Sequence, residues 1–207
     1  MSRRSRAVLI GVACAGLVLL VWLDRVSIAP RRVARDRSSQ HAAAHDVARY
    51  DGKTFNVAGV VDGDTVDVAA RDGDRPTTRV RLLGIDAPET HVPDDRPAYF
   101  AAEATVFARK RLLGQRVTLH LDEDGRTRGN YGRLLAYVVL SDGAVLNEML
   151  VAEGYAYADL RFTHGFYHKY RQLEASARSL RRGLWAEATR DDLPAWLQRM
   201  RPDLLKD

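Results

Sequence analysis

The sequence predicts an α+β fold: a five-stranded β-barrel of the OB type with about three helices, preceded by one N-terminal membrane helix. Three observations point there. An uncharged apolar run, AVLIGVACAGLVLLVWL, fills residues 7–23. From Phe55 to Leu140, short segments alternate apolar and polar residues with the period of half-buried strands. That series is broken by a stretch of helical spacing, and more such stretches follow it.

The 207 residues suffice for one domain of ordinary size with extras at the ends. The formal charge of +5 is mildly basic; it fits an Arg-rich surface and only weakly favours a polyanionic partner. The single cysteine, Cys14, excludes an internal disulfide. It lies inside the apolar run rather than at its end, which argues against a lipid-modified cysteine.

Residues 1–24 read as a membrane anchor or signal segment. A soluble core helix rarely lacks any polar residue over such a run. The run is long for a signal-peptide core and slightly short of the roughly 20 residues of a span. Cleavage after Ala29 is the alternative, disfavoured by Pro30 just past the cut. Arg3, Arg4 and Arg6 on one flank face Arg25, Arg31, Arg32, Arg35 and Arg37 on the other, so the positive-inside rule does not choose an orientation. A long C-terminal domain can translocate regardless. The expected arrangement is therefore membrane-anchored, with the domain outside the cytoplasm; secretion after cleavage is the alternative.

Residues 25–54 read as a tether, helical near His41–Arg49. His41 and His45 stand four apart without a third ligand nearby. Phe55, Val57 and Val61 alternate on a first strand, and Val66, Val68 and Ala70 on a second. Arg71-Asp72-Gly73-Asp74 is a hairpin turn, and Val80 and Leu82 alternate with Arg79 and Arg81 on a third strand. A polar loop, 91–96, leads to Pro97 in a first helical turn. Tyr99, Ala102, Val106 and Leu113 give the helix its apolar spacing, and Gly114 stops it. Arg116–Leu121 and Leu134–Leu140 complete the strands. Val145–Glu153 is a short helix closed by Gly154. Tyr170, Leu173, Ala177 and Leu180 mark a long one closed by Gly183. The globular domain is thus 55–187, and 188–207 is a C-terminal extension with a short helix around Pro194–Met200.

The stretch VDGDTV, 61–66, joins the first two strands. Gly63 fits a tight turn that needs φ > 0. One carboxylate would cap that turn; two, Asp62 and Asp64, need either solvent or a cation.

Four patches, VDGDTV (61–66), RVRLLGIDAPET (79–90), RTRGNYGR (126–133) and LNEMLVAEGYA (146–156), together resemble the staphylococcal nuclease (thermonuclease) family, in order, from about Phe55 to Trp185. The resemblance implies a Ca²⁺ site on Asp64, Asp86 and the carbonyl of Ala87, a ligand set of hard oxygens that suits calcium. It makes Asp62 the turn residue behind the ligands, holding waters or the turn. It implies Glu89 as general base on a loop stiffened by Pro88, and Arg81 and Arg133 as phosphate-binding guanidiniums. Tyr131 would hydrogen-bond a terminal phosphate, and Phe162 would stack a base where the family has tyrosine. Leu160 replaces a second family tyrosine, Asn130 a common lysine, and the 126–133 loop is slightly longer than usual. Tyr155 and Tyr157 read as core, Asn147 and Glu148 as residues capping the helix and tying it to the barrel, and His164 and His168 as exposed helix-cap residues.

The implied activity is Ca²⁺-dependent, sugar-nonspecific hydrolysis of DNA and RNA leaving 3′-phosphates, with single-stranded or denatured substrate preferred. No obligate protein partner is evident. A non-catalytic nucleic-acid or protein-binding module on the same barrel, or an envelope scaffold, is the rival reading. Such modules usually lose the acidic and arginine positions, and here all are present.

Overall fold

The computed structural model describes residues 40–90, 97–123 and 126–205. The apolar run 7–23, most of the tether and the 91–96 loop lie outside them. Among the described residues no helix is long and apolar enough to cross a membrane. The chain divides into two compact units, Met1–His45 and Asp46–Asp207; of the first, only residues 40–45 are described, and they are helical.

Helix α1 covers residues 40–50. Strands β1 (Lys53–Val60), β2 (Thr65–Val68) and β3 (Thr78–Leu82) follow, then the short β4 (Ile85–Asp86), α2 (Ala101–Leu112), β5 (Arg116–His120) and β6 (Leu134–Val139). After them come α3 (Leu146–Ala152), β7 (Tyr157–Ala158), α4 (Tyr167–Ser179), two 3₁₀ turns (Gly183–Ala186 and Arg190–Asp192) and α5 (Ala195–Met200). The barrel closes in the order β1-β2-β3-β6-β5, and β4 pairs with β7 in a separate two-stranded ribbon. Within the barrel β3 and β6 run parallel and the other neighbours antiparallel. Closure leaves the barrel no open sheet edge.

Alternation places the core as expected. Val66, Val68, Val80, Leu82, Leu134 and Ala136 are buried, while Arg79 on the opposite side of β3 is exposed. Asn147 ties α3 to the barrel: its side-chain oxygen accepts from Val138 N (2.9 Å) and its amide donates to Leu83 O (3.0 Å). It makes these bonds from full burial, as a core amide must. Glu148 instead pairs with Lys169 of α4 (2.6 Å), and no side chain caps α3.

Tyr50, before the first strand, is fully buried, and its hydroxyl meets Thr78 Oγ1 at 3.0 Å. Several expectations are corrected. Val61 lies past the end of β1 and is exposed. Helix α2 begins at Ala101 after a left-handed Phe100, so Pro97 precedes it rather than filling its first turn. Its buried face is Ala101, Ala104, Thr105, Ala108 and Leu112; Ala102, Val106 and Leu113 are exposed. The reason is small-residue packing. Alanines let the helix axis approach the barrel closely, and the larger apolar residues one step round point to solvent. In α4, likewise, Tyr170, Glu174 and Ala177 are buried and Leu180 is exposed.

Leu193, Trp196, Leu197 and Leu204 are buried, and Arg201 reaches the buried Glu174 at 3.7 Å.

Candidate active site

The site grows from the register of β2 on β3, which sets Thr65 opposite Arg81 and Asp67 opposite Arg79. Just before β2, Asp62 Oδ1 accepts the N–H of Asp64 (3.1 Å), an Asx-type turn. The Asp64 carbonyl accepts from Leu82 N (2.8 Å), fixing that residue to β3. Gly63 is not in the left-handed region. Its need is space: a Cβ there would stand 2.7 Å from Ala87 Cβ and 3.0 Å from Ala104 Cβ. The φ > 0 expectation is therefore replaced by a close approach of the 61–64 turn to α2 and the 87–90 loop.

Asp64 is 1% exposed. Its Oδ2 accepts the backbone N–H of Ala87 (2.6 Å), and its Oδ1 accepts from Thr65 Oγ1 (3.0 Å) and from Arg81. The same guanidinium reaches Asp86 Oδ1. Burial pushes the Asp64 carboxyl well above the ordinary carboxylate range; Arg81 opposes the shift, and Asp62 and Asp86 add to it. Burial also penalises the Arg81 charge, but Asp64 and Asp86 more than offset this and raise its pKa. Two buried acids and one guanidinium thus share one anionic focus.

Asp86 is clamped from behind. Strand β4 pairs with β7, Asp86 opposite Tyr157, and Asp159 N donates to Gly84 O (2.9 Å). Arg161 reaches Asp86 at 3.1 Å while Asp159 holds its guanidinium through both carboxylate oxygens, at 2.8 and 2.9 Å. Trp196 Nε1 donates to Asp86 Oδ2 (2.8 Å).

Glu89 is exposed on the loop that follows β4. Partial burial nonetheless raises its pKa; the Arg81 and Arg133 charges lower it, and those of Asp62 and Asp86 raise it. Arg133 NH1 approaches Thr65 Oγ1 at 3.5 Å, which links it through that hydroxyl to Asp64. Its loop is fastened from below. Arg128 donates to Asp46 of α1 (2.7 and 2.8 Å) and to Asp72 (2.6 Å), and also to Gly132 O (3.0 Å).

The structure therefore brings Asp62, Asp64, Arg81, Asp86, Ala87, Glu89 and Arg133 to one rim of the barrel. Tyr131 is 83% exposed, with the Arg133 guanidinium 5.7 Å from its ring, and Phe162 is 63% exposed, next in the chain to Arg161. Tyr157 is core, as expected; Tyr155 is half-buried and stacks on Phe107. His164 corrects the exposed-cap expectation. Its ring sits against Gly84, where a Cβ would meet it at 2.3 Å, and Tyr137 OH lies 3.1 Å from its Nδ1. Sequence reasoning passed over Thr65, Arg161 and Trp196. Thr65 lies within VDGDTV, Arg161 beside Phe162, and Trp196 beyond the residues that carry the resemblance.

Among the described residues no group of three or more histidine, cysteine, aspartate or glutamate side chains is placed to hold a metal ion. The donor set here is smaller: two buried carboxylates that already require positive charge, beside the Ala87 backbone. Hard carboxylate oxygens suit a divalent cation that keeps waters, and in that sense the residue types fit one; Arg81 supplies the positive charge at both Oδ1 atoms in this structure.

A family model described as staphylococcal nuclease homologue matches residues 79–187, more than half the chain. The match contains Arg81, Asp86, Glu89 and Arg133; Asp64 precedes it and Trp196 follows it. The chain is 34% identical over 135 residues to the thermonuclease of Staphylococcus hyicus, covering 65% of this chain and 76% of that one. With the thermonuclease of Staphylococcus intermedius it is 40% identical over 107 residues, 52% and 60% of the two chains. With an uncharacterized endonuclease of Escherichia coli O157:H7 it is 31% identical over 151 residues, 70% and 84% of the two. A barrel of this topology, the acids and arginines on its rim and these likenesses agree: the chain belongs to the staphylococcal nuclease family.

Proposed function

We propose that the chain is a Ca²⁺-dependent nuclease that hydrolyses phosphodiester bonds in DNA and RNA without choosing the sugar. One observation carries this reading: the carboxylates of Asp64 and Asp86 converge with Arg81 on a rim that Glu89 and Arg133 also line.

Asp64, Asp86 and the Ala87 carbonyl would hold the cation, with Asp62 keeping the turn. When bound, calcium supplies positive charge for an oxygen of the scissile phosphate. Glu89 accepts a proton from the attacking water, and a carboxylate with a raised pKa is the stronger base. Arg81 and Arg133 donate N–H bonds to phosphate oxygens, stronger as charge grows in the five-coordinate transition state. The water oxygen joins phosphorus, the bond to the 5′ oxygen breaks, and that oxygen takes up a proton from solvent, leaving a 5′-hydroxyl and a 3′-phosphate. Tyr131 and Phe162 offer exposed rings to a terminal phosphate and to an unstacked base, which favours single-stranded or denatured substrate. The apolar run 7–23 anchors the chain in a membrane with this domain outside the cytoplasm.

The test is hydrolysis of denatured DNA and of RNA by the full-length chain, with Ca²⁺ and with a chelator. Cleavage only with Ca²⁺, leaving 3′-phosphates, supports the reading. Binding without cleavage in both conditions would make the protein the non-catalytic module instead.

A further inference from the structure

The two acids of the site are held in the same way from two different parts of the chain. In Asp64, Oδ1 faces the Arg81 guanidinium and Oδ2 is pinned by the Ala87 N–H at 2.6 Å. In Asp86, Oδ1 faces the same guanidinium and Oδ2 is pinned by the Trp196 indole N–H at 2.8 Å. Each carboxylate thus has Oδ2 spent on a single N–H donor and turns Oδ1 to the shared Arg81 guanidinium; Thr65 Oγ1 also donates to that oxygen of Asp64 (3.0 Å), and Arg161 reaches that of Asp86 (3.1 Å). The pin on Asp64 comes from the neighbouring loop. The pin on Asp86 comes from α5, 110 residues away in sequence and beyond the residues that the family model matches.

The indole is itself held. Trp196 is 9% exposed, between the buried Leu193 and Leu197, and the Arg161 guanidinium lies 4.6 Å from its ring centre. Asp159 fixes that guanidinium by a two-pronged pair. A stacked cation and a buried flank leave the ring little freedom to turn its N–H away. The other tryptophan of the packed unit provides the contrast. Trp185 is also buried, against Tyr157, but its Nε1 meets no hydrogen-bond partner among the described residues. One indole therefore serves packing alone, and the other serves packing and a carboxylate.

We propose that Trp196 is a positioning residue of the active site: its N–H occupies Asp86 Oδ2, so that Asp86 presents Oδ1 alone to a divalent cation, and the C-terminal segment is a working part of the site. This rests on the Ca²⁺-dependent reading above. A partner that orients a metal-ligating carboxylate typically contributes 10- to 100-fold in metal affinity.

The experiment is calorimetric titration of Ca²⁺ into the full-length chain and into Trp196→Phe and Trp185→Phe, with melts of all three in chelator. Trp196→Phe is expected to weaken Ca²⁺ binding by about 10- to 100-fold, and Trp185→Phe to leave it unchanged even if its melt falls further. Equal affinity in Trp196→Phe and the parent overturns the role of Trp196 while the Ca²⁺ reading stands. A parent that takes up no Ca²⁺ overturns both. Should Trp196→Phe not fold, the indole ¹H–¹⁵N resonance of Trp196 in the parent decides. It is expected to shift on Ca²⁺ saturation and to stay still in Asp86→Asn; no shift in the parent overturns the proposal.

Discussion

Arg79 and Arg81 stand on the same side of β3 and close on different acids. Arg79 forks Asp67 at 3.0 Å through two nitrogens and keeps 45% of its side chain exposed; Arg81, 11% exposed, reaches Asp64 and Asp86. An exposed pair of the Arg79 kind is worth about 0–1 kcal/mol. Arg81→Ala removes a donor aimed at developing charge and is expected to lower turnover on the order of 10² to 10³, as is loss of Glu89 in Glu89→Gln. Arg79→Ala should leave turnover nearly intact. Steady-state hydrolysis of a labelled oligonucleotide, by variants whose melts match the parent, checks this. Equal behaviour of the two arginine variants would mean the right fold with the wrong site.

Gly63→Ala tests the packing of the 61–64 turn. The added methyl would meet Ala87 Cβ at 2.7 Å and Ala104 Cβ at 3.0 Å. Ala87 is pinned to Asp64, and Ala104 is fully buried, so neither has a free direction to yield. Overpacking of this kind costs about 1–3 kcal/mol. Denaturant midpoints should fall accordingly, with an unchanged slope; a midpoint equal to the parent's would show that the turn is looser than its contacts imply.

Phe162→Ala should act on binding rather than chemistry. The ring is 63% exposed and available before reaction. Stacking is worth roughly 1–3 kcal/mol per base, so KM for single-stranded DNA should rise about 5- to 150-fold with kcat little changed. A fall in kcat at constant KM would place the ring at the reacting phosphate instead.

His164 gives the fold a pH dependence. Burial lowers its pKa, while the Asp122 and Asp159 charges oppose the shift. Its Nδ1 accepts the N–H of Phe166 at 3.3 Å, a bond the imidazolium form gives up. Tyr137, whose hydroxyl also bonds Asp122, Tyr167 and Tyr170 surround the ring. A base whose folded pKa is depressed stabilises the fold above its unfolded value, about 6.5, and loses that contribution as pH falls through the folded value. The parent melt should therefore drop as pH falls below about 6.5 by more than that of His164→Gln. Parallel curves would contradict this.

The barrel was legible because period-two alternation survives in Val66–Val68 and Val80–Leu82, and burial follows it. Helix α2 misled because its buried face is built from Ala101, Ala104 and Ala108, residues whose type carries little hydropathy signal. On the rim, the family resemblance pointed to Asp64, Arg81 and Asp86, and the fold brings the three together. The second layer was not legible. Asp46 holds Arg128 across 82 residues, and Trp196 holds Asp86 across 110. No local pattern encodes contacts of that range; only the fold brings them together.

Ca²⁺-dependent thermal stability of the full-length chain tests the central claim most directly, because a cation that binds only the folded site must stabilise it. At free Ca²⁺ about 100 times its dissociation constant the gain should be roughly 2.7 kcal/mol. The account predicts that the parent melts higher with Ca²⁺ than with chelator, and that Asp64→Ala and Asp86→Ala melt alike in both. Coincident parent melts in the two conditions would contradict it.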